Sequence, residues 1–175
     1  MEKLKWYIVD KKYVKYLKTF DQRVEDIEYK ENLKPYIGIV LKVNDFNYYV
    51  PISSPKKKHY EMKESLDFLK IIDKNGNILG VLNLNNMIPI LNSEICILKY
   101  SSISEFRQFK SEKEKTQYIR LLDIELNIIN SKIEKIIKNA NKLYEINMGN
   151  KKSKLAKRCC NFKLLEEKAM QYKKG

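Results

Sequence analysis

Two runs of β-branched and aromatic residues constrain the fold of this chain more than any other feature of its sequence. They cover residues 36–43 and 46–52, and only Asn44 and Asp45 separate them. Runs of this composition favour strands, and a short polar link of this type favours a tight turn between two strands. The sequence therefore predicts an antiparallel β-hairpin over residues 36–52.

The rest of the N-terminal half also has the pattern of a sheet. Leu4, Trp6 and Ile8 alternate with polar residues, which indicates a first strand, and Asp10 is a suitable N-cap for a short helix after it. Apolar runs bounded by turn residues predict further strands over 66–72, 78–84 and 87–91. We expect a mostly antiparallel sheet.

After Tyr100 the hydrophobic residues recur every three or four positions, which is typical of an amphipathic helix. The apolar stripe consists of Leu121, Leu122, Leu126, Ile129, Ile133, Ile136, Ile137, Ala140 and Leu143. We expect a long helix that ends at Gly149 and a short final helix over 162–172. The predicted class is α+β, and the length of 175 residues indicates a single domain over 1–175.

The chain is strongly basic. Its 35 Lys and Arg against 22 Asp and Glu give a net charge of +13, which indicates a polyanionic partner. Residues 148–175 hold nine Lys or Arg and two Glu, so much of the charge lies there. A solvated tail is the alternative interpretation of this segment.

The sequence also indicates where the protein works. No apolar run approaches the roughly 18 residues that span a bilayer, and the N-terminus lacks the apolar core of a secretory signal, so we expect a cytoplasmic protein without membrane contact. The three cysteines have no metal-ligand spacing, and we expect buried reduced thiols. We predict no metal and no cofactor.

Two hydroxyls and three consecutive cations follow the second strand of the hairpin. The hydroxyls of Ser53 and Ser54 can bind phosphate oxygens, and the ammonium groups of Lys56, Lys57 and Lys58 can neutralise a phosphoryl group in its transition state. A strand end of this kind leaves side chains free to face solvent. The alternative is a plain strand end followed by solubilising lysines.

Tyrosines interleaved with lysines suit single-stranded RNA, because bases stack on rings while cations follow the backbone. The candidate RNA-binding residues are Lys57, Lys58, His59, Tyr60, Lys151, Lys152, Lys154, Lys157 and Arg158. His59 is the only histidine, which excludes a two-histidine acid–base mechanism, and its lysine neighbours should lower its pKa.

Five segments, taken in order, resemble one known family. They are Trp6-Tyr7-Ile8-Val9 with Tyr13-Val14-Lys15-Tyr16-Leu17, Lys34-Pro35-Tyr36-Ile37-Gly38-Ile39-Val40-Leu41, Tyr49-Val50-Pro51-Ile52-Ser53-Ser54-Pro55-Lys56, Leu82-Asn83-Leu84-Asn85-Asn86-Met87-Ile88-Pro89, and Cys160-Asn161-Phe162-Lys163-Leu164-Leu165-Glu166-Glu167. In this combination the chain resembles the ToxN/AbiQ family of type III toxin–antitoxin endoribonucleases. The antitoxin of that family is a small repeated RNA.

The resemblance implies a fold and a site. The fold would be a twisted antiparallel sheet flanked by helices, similar to that of Kid/MazF-type toxins. Tyr29 and Lys34, in the polar link before the hairpin, would contribute to cleavage, with Lys30 or Asp26 as alternatives to Tyr29. The other catalytic residues implied by the family are Ser53, Ser54 and Lys56.

The resemblance also implies a function. The protein would cleave A-rich single-stranded RNA, both cellular or phage messages and its own antitoxin transcript, and act in abortive phage defence. Processed repeats, folded as pseudoknots, would block the toxin in a hetero-oligomer of protein copies bridged by RNA. A non-catalytic basic RNA-binding module is the alternative function.

Metal-independent cleavage of RNA needs little from the protein, because the ribose 2′-OH is the nucleophile. The products would be a 2′,3′-cyclic phosphate and a 5′-OH. A serine hydroxyl is a poor general base, so Ser54 is expected to orient the phosphate or relay a proton, while Lys56 stabilises charge on the non-bridging oxygens. Lys34 would be either a second cation or a proton acceptor.

Overall fold

The structure, a computed structural model, describes residues 1–30 and 32–173, which contain nine strands, six α-helices and three short 3-10 helices. The strands are β1 (Lys5–Val9), β2 (Glu28–Tyr29), β3 (Asn32–Leu33), β4 (Tyr36–Val43), β5 (Phe46–Ser53), β6 (Phe68–Ile72), β7 (Ile78–Asn83), β8 (Ile88–Pro89) and β9 (Ile95–Ile97). The helices are α1 (Lys11–Phe20), α2 (Lys57–Glu61), α3 (Glu112–Ser131), α4 (Ile133–Gly149), α5 (Lys154–Arg158) and α6 (Phe162–Gln171).

The main sheet is antiparallel and has seven strands in the order β6-β7-β5-β4-β1-β9, with β8 also paired to β5. At its centre β4 and β5 form the predicted hairpin, in which Tyr36 lies opposite Pro51 and Val43 opposite Phe46. Asn44 turns the chain with a φ of 51°, a left-handed conformation that asparagine tolerates. The predicted α+β class is confirmed.

Helices cover the sheet and close the core. α1 begins after Asp10, as predicted, because the Asp10 Oδ1 accepts hydrogen bonds from the backbone N–H groups of Lys12 and Tyr13. α4 packs on β4, α6 on β8, and α3 on β6 and β7. The Trp6 indole Nε1 donates to the Leu122 carbonyl at 3.0 Å, which ties β1 to α3.

The prediction of one long C-terminal helix is wrong in one respect, because Lys132 divides the stripe into α3 and α4. The Asn130 side chain binds both backbone groups of Leu4, and the Ser131 hydroxyl donates to the Ile128 carbonyl. Such side-chain bonds to the backbone compete with helical geometry. α4 includes Gly149 and is followed by Asn150 as its C-cap.

Other boundaries differ by a few residues from those predicted. The strands expected over 66–72, 78–84 and 87–91 are β6, β7 and the two-residue β8. The polar link expected before the central hairpin contains the small hairpin of β2 and β3. Strand β9 and helices α2 and α5 were not predicted. The single-domain organisation over 1–175 stays a prediction.

Two further expectations concern the cysteines and the membrane. Cys159 and Cys160 are buried, and burial raises the pKa of Cys159 to about 11. Cys96 is exposed on β9, so the prediction of burial is wrong for this thiol. Within 1–30 and 32–173, no helix combines the length and the apolar composition that crossing a bilayer requires.

Candidate active site

The end of β5 carries the two serines out of the core and towards solvent. Ser53 is the last residue of the strand, is half-buried and pairs with Val81 of β7. Ser54 follows outside the strand and is exposed. After Pro55 the chain enters α2, so hydroxyls and lysines are separated by a single rigid residue.

His59 holds the backbone at Lys56. The Lys56 N–H donates to the His59 Nδ1 at 3.0 Å, and the His59 N–H donates to the Lys56 carbonyl oxygen at 2.8 Å. His59 is 4% exposed, and its ring lies 5.4 Å from that of Phe68. Burial, and then the nearby lysines, lower the pKa of His59. The sequence predicts the same direction for the pKa of His59 from its lysine neighbours, and burial proves to be the larger cause.

Glu25 connects three groups of the site. Its Oε2 accepts a hydrogen bond from the Ser53 hydroxyl at 3.2 Å and lies 3.8 Å from the Lys34 Nζ. Its Oε1 accepts from the Asn86 Nδ2 at 2.6 Å. The Glu25 side chain is 21% exposed. Because one carboxylate contacts all three, the positions of Ser53 and Lys34 are coupled.

Tyr29 lies on the small hairpin of β2 and β3. Its ring is 64% exposed, and the Lys30 Nζ lies 5.4 Å from the ring centroid. Lys30 itself has a left-handed φ of 46°. The Lys34 N–H donates to the Ile27 carbonyl at 2.7 Å, so the hairpin and Lys34 form one local unit.

A single cavity of about 1100 Å³ is lined by all five residues predicted to be catalytic. They are Tyr29, Lys34, Ser53, Ser54 and Lys56. Lys58 and His59 also line the cavity, whereas Lys57 and Tyr60 lie on the exposed surface of α2, outside its lining. Residues separated by up to 27 positions in sequence thus face one solvent-filled space.

The basic C-terminal segment reaches the rim of this cavity through α5. The Arg23 guanidinium donates to the Lys157 carbonyl and the Asn85 side chain to the Arg158 carbonyl, both at 3.2 Å, and Arg23 and Asn85 line the cavity. The Arg158 guanidinium also binds the buried carboxylate of Asp67 with two hydrogen bonds of 3.1 Å. The remaining lysines of this segment are exposed: Lys151, Lys152, Lys154 and Lys157.

Another part of the cavity lining comes from Arg107 and helix α3. Glu125 is 4% exposed, and burial raises the pKa of its carboxyl to about 8. The Arg107 guanidinium carbon lies 4.3 Å from the centroid of the Tyr118 ring, and the Arg107 Nε is buried. All three side chains line the cavity.

Residues of this site that were not found from the sequence include Glu25, Asn86, Arg107, Tyr118 and Glu125. Glu125 had a signal, since it occupies the buried face of α3 between Leu122 and Ile129, where an isolated acidic residue is unusual. Glu25 and Arg107 lie in irregular segments, where no periodicity shows which side chains turn inward.

The chemistry available in this cavity suits a phosphodiester. Lys34 and Lys56 supply positive charge, and Ser53 and Ser54 supply hydroxyls that bind oxygen atoms. A carboxylate, that of Glu25, lies among them. The exposed cations of α2 and α5 add positive charge outside the cavity, and such charge favours binding of nucleic-acid phosphates.

Comparison with known proteins gives matches along nearly the whole chain. Residues 5–171 match the family described as "Toxin ToxN, type III toxin-antitoxin system". Endoribonuclease ToxN of Pectobacterium atrosepticum is 35% identical over 177 residues, which cover 98% of this chain and 95% of that protein. Endoribonuclease AbiQ of Lactococcus lactis subsp. lactis is 34% identical over 178 residues, covering 98% and 90%.

Solved structures agree in fold. A structure concerning selective toxin inhibition by a non-coding RNA pseudoknot has a TM-score of 0.83 and 25% identity, and the match covers 99% of this chain and 100% of that one. The structure of AbiQ, a lactococcal anti-phage endoribonuclease, has a TM-score of 0.80 and 31% identity, with 98% of each chain covered.

Proposed function

This chain belongs to the ToxN family of type III toxin–antitoxin endoribonucleases, and we propose that it cleaves A-rich single-stranded RNA without a metal ion, leaving 2′,3′-cyclic phosphate and 5′-OH ends. The observation that carries the proposal is the cavity, which holds Ser53, Ser54, Lys34 and Lys56 around one solvent space. These groups suffice to align a phosphodiester and neutralise its charge.

In the proposed reaction the ribose 2′-OH attacks the adjacent phosphorus while the bond to the 5′-oxygen breaks. The 2′-hydroxyl proton leaves to a base, and the departing 5′-oxygen takes up a proton. Lys56 faces the non-bridging oxygens, where negative charge accumulates in the transition state. Its exposed side chain at the start of α2 is free to approach a bound phosphate.

The two serines have different roles in this mechanism, because Ser53 binds Glu25 and Ser54 is exposed. Because the Ser53 hydroxyl donates to Glu25, Ser53 belongs to the framework that holds the strand end in place. Ser54 is exposed and contacts the phosphate directly. Lys34 acts as the second cation, since its ammonium group lies beside the same carboxylate and faces the cavity.

His59 is a positioning residue in this mechanism, in contrast to the expectation that it contacts RNA. Its Nδ1 accepts the Lys56 N–H, and this bond needs a neutral imidazole. Burial and the nearby lysines lower its pKa and so favour the neutral form. His59 therefore keeps Lys56 at the mouth of the cavity.

The partner of the same surface would be a pseudoknot RNA antitoxin processed from a repeated transcript. Its phosphates would contact the lysines of α2 and of residues 151–158, with each RNA bridging two protein copies in a hetero-oligomer. The natural targets would be cellular or phage messages in the cytoplasm, as part of abortive phage defence. We further propose that this fold is related to that of Kid/MazF-type toxins.

A non-catalytic RNA-binding module is the competing function, and one pair of measurements separates the two. Expression of the wild type should arrest growth, whereas Ser54→Ala and Lys56→Ala should be tolerated although each binds RNA within about threefold of wild type. Equal growth arrest by all three proteins, or a loss of affinity that parallels the loss of toxicity, would instead support the binding module.

A further inference from the structure

The short helix α5 is held against the active site by contacts at its C-terminal end. A helix of five residues is too short to be stable in isolation, so its position depends on tertiary contacts. The last carbonyl groups of a helix have no partner within it. Here the carbonyls of Lys157 and Arg158 accept hydrogen bonds from Arg23 and Asn85, which line the cavity. The backbone end of α5 is thus fixed to the cavity wall.

The Arg158 side chain makes a second attachment. Its Nε and Nη2 donate to the two carboxylate oxygens of Asp67, each at 3.1 Å, and such a parallel pair fixes the plane of the guanidinium. Asp67 is 5% exposed, and its Oδ1 also accepts a hydrogen bond from the Ser65 hydroxyl at 2.8 Å. Two of the guanidinium donors that could bind a phosphate in parallel are therefore already engaged.

Asp67 connects Arg158 to the lysine side of the active site. It directly precedes Phe68, the first residue of β6, which is buried with its ring 5.4 Å from the ring of His59. His59 in turn accepts the Lys56 N–H at 3.0 Å. Because packed interiors have few voids that could absorb a shift, a displacement of Asp67 is passed on through Phe68 and His59. The backbone at Lys56 therefore depends on where Asp67 is held.

The Arg158 carbonyl leads to the other side of the site. The Asn85 Nδ2 donates to this carbonyl at 3.2 Å and to the Asn86 Oδ1 at 3.1 Å. The Asn86 Nδ2 donates to the Glu25 Oε1 at 2.6 Å, and the Glu25 Oε2 accepts from the Ser53 hydroxyl at 3.2 Å. A continuous chain of hydrogen bonds thus joins the end of α5 to the end of β5.

We propose that Arg158 is a positioning residue for the cleavage reaction, which joins helix α5 to the Lys56 side and to the Glu25 side of the active site. This role replaces the expectation that the Arg158 side chain binds RNA. RNA phosphates held by the neighbouring lysines of α5 lie at a fixed distance from the catalytic groups. The role of Arg158 rests on the proposed function, because cleavage is the step that this fixed distance serves.

The first comparison replaces Arg158 by methionine, which keeps the aliphatic part of the side chain and removes the guanidinium. Lys142→Met is the matched control, because Lys142 forms an exposed ion pair with Glu145 on α4, outside the cavity lining. We expect Arg158→Met to lower kcat about tenfold, with a change in KM of less than about threefold, because alignment is lost while the RNA contacts remain. Lys142→Met should have the kcat of the wild type.

Arg158→Lys separates positioning from phosphate binding. It keeps the positive charge, but one ammonium group cannot form the two parallel bonds to Asp67. We expect it to lower kcat as much as Arg158→Met does. RNA affinity, measured at several salt concentrations in Ser54→Ala protein, should have the same salt slope with and without either substitution, since no phosphate contact is lost.

The double variant Arg158→Met/Asp67→Asn separates positioning from stability. Arg158→Met alone leaves the buried Asp67 carboxylate without this cation and should lower the melting temperature, whereas the added Asp67→Asn change removes that charge and should restore much of it. The side-chain attachment of α5 is absent in both proteins, so kcat should stay low in both. Recovery of kcat together with the melting temperature would show that Arg158 only stabilises the fold.

Other results would also overturn the role of Arg158. One is a wild-type kcat in Arg158→Met or in Arg158→Lys. Another is a salt slope that is lower by about 0.7 in Arg158→Met, the effect of one lost phosphate contact, which would make Arg158 an RNA ligand.

Amide hydrogen exchange at residues 56–59 tests the same connection without RNA. It should be faster in Arg158→Met than in Lys142→Met, because the loss of the Asp67 contact loosens the packing behind Lys56. Equal exchange in the two variants would contradict the connection. Failure of the proposed function looks different, since the wild type would then leave RNA intact while the difference in exchange persists.

Discussion

The Ser53 hydroxyl donates a 3.2 Å hydrogen bond to the Glu25 carboxylate, and this bond joins the end of β5 to the segment that carries Tyr29 and Lys34. The same carboxylate lies 3.8 Å from the Lys34 Nζ. A group that contacts both a hydroxyl and a cation of the site fixes the distance between them. Precise placement of this kind contributes much of the rate in reactions that depend on alignment.

Replacement of Glu25 by alanine should therefore reduce cleavage more than RNA binding. We expect kcat to fall roughly 100-fold, as misplacement by about an ångström does elsewhere, with a change in KM below threefold. Glu28→Gln is the control, because Glu28 lies in the same segment and pairs with Lys11 and Lys15 outside this site. A Glu25→Ala variant with wild-type kcat would show that the network is dispensable.

His59 should act through Lys56 and through no proton of its own. Substitution by alanine removes the acceptor of the Lys56 N–H, and we expect roughly tenfold lower kcat. His59→Asn should recover most of the loss, because its side-chain oxygen can accept the same bond. The kcat values of the wild type, His59→Ala and His59→Asn across the pH range measure this. Equal impairment of the two variants, with no rescue by asparagine, would instead make His59 an acid–base group.

The lysines of α5 should determine RNA affinity without changing the chemistry. Lys154→Gln with Lys157→Gln should lower the slope of log Kd against log salt by about 0.7 for each phosphate that is no longer neutralised. Cleavage of a short oligonucleotide confined to the cavity should be unchanged. Lys113→Gln with Lys138→Gln is the matched control at exposed positions outside the cavity lining and α5. An equal salt slope in all proteins would show that α5 is not part of the RNA-binding surface.

Glu125 should make the folded protein less stable as the pH rises. Burial raises its pKa from 4.5 to about 8, so the folded state binds a proton that the unfolded state releases between those values. The stabilisation is fully present below pH 4.5 and is lost as the pH rises to 8, with a size on the order of 4 kcal/mol. Thermal unfolding of the wild type and Glu125→Gln at pH 5, 6.5 and 8 measures it.

The Glu125→Gln variant should lack the part of the pH-dependent loss of stability that is due to the Glu125 carboxyl. The carboxyl of Glu64 acts in a different window, because lysine and backbone hydrogen bonds lower its pKa to about 2, and its contribution is lost only as the pH falls below 4.5. The two effects therefore do not overlap. Parallel curves for wild type and variant between pH 5 and 8 would mean that Glu125 is ionised in the folded protein.

The regular parts of this fold were predictable because their signals are local. The β4–β5 hairpin, the Asp10 cap and the C-terminal helix α6 each follow from a short run of sequence with one clear period or one capping residue. The break at Lys132 was not predictable in this way, because it depends on a hydrogen bond between Asn130 and Leu4, which are 126 positions apart. The apolar periodicity of the sequence continues through Lys132, so it does not indicate that the helix ends there.

The candidate site also has a part that the sequence predicts and a part that it does not. Ser53, Ser54 and Lys56 are consecutive or nearly so, and their chemistry could be read directly from the sequence. Glu25 is held in the site by hydrogen bonds with Ser53 and Asn86, 28 and 61 positions away. Such long-range contacts are products of the tertiary fold, so no local pattern identifies them.

The chemistry of the RNA ends tests the proposed reaction most directly. Purified wild-type protein and Ser54→Ala are incubated with an A-rich RNA in EDTA, and the termini of any fragments are identified. We expect 2′,3′-cyclic phosphate and 5′-OH ends from the wild type and intact RNA with Ser54→Ala. Fragments that require added metal, fragments with 5′-phosphate ends, or equal cleavage by Ser54→Ala would contradict the proposed reaction.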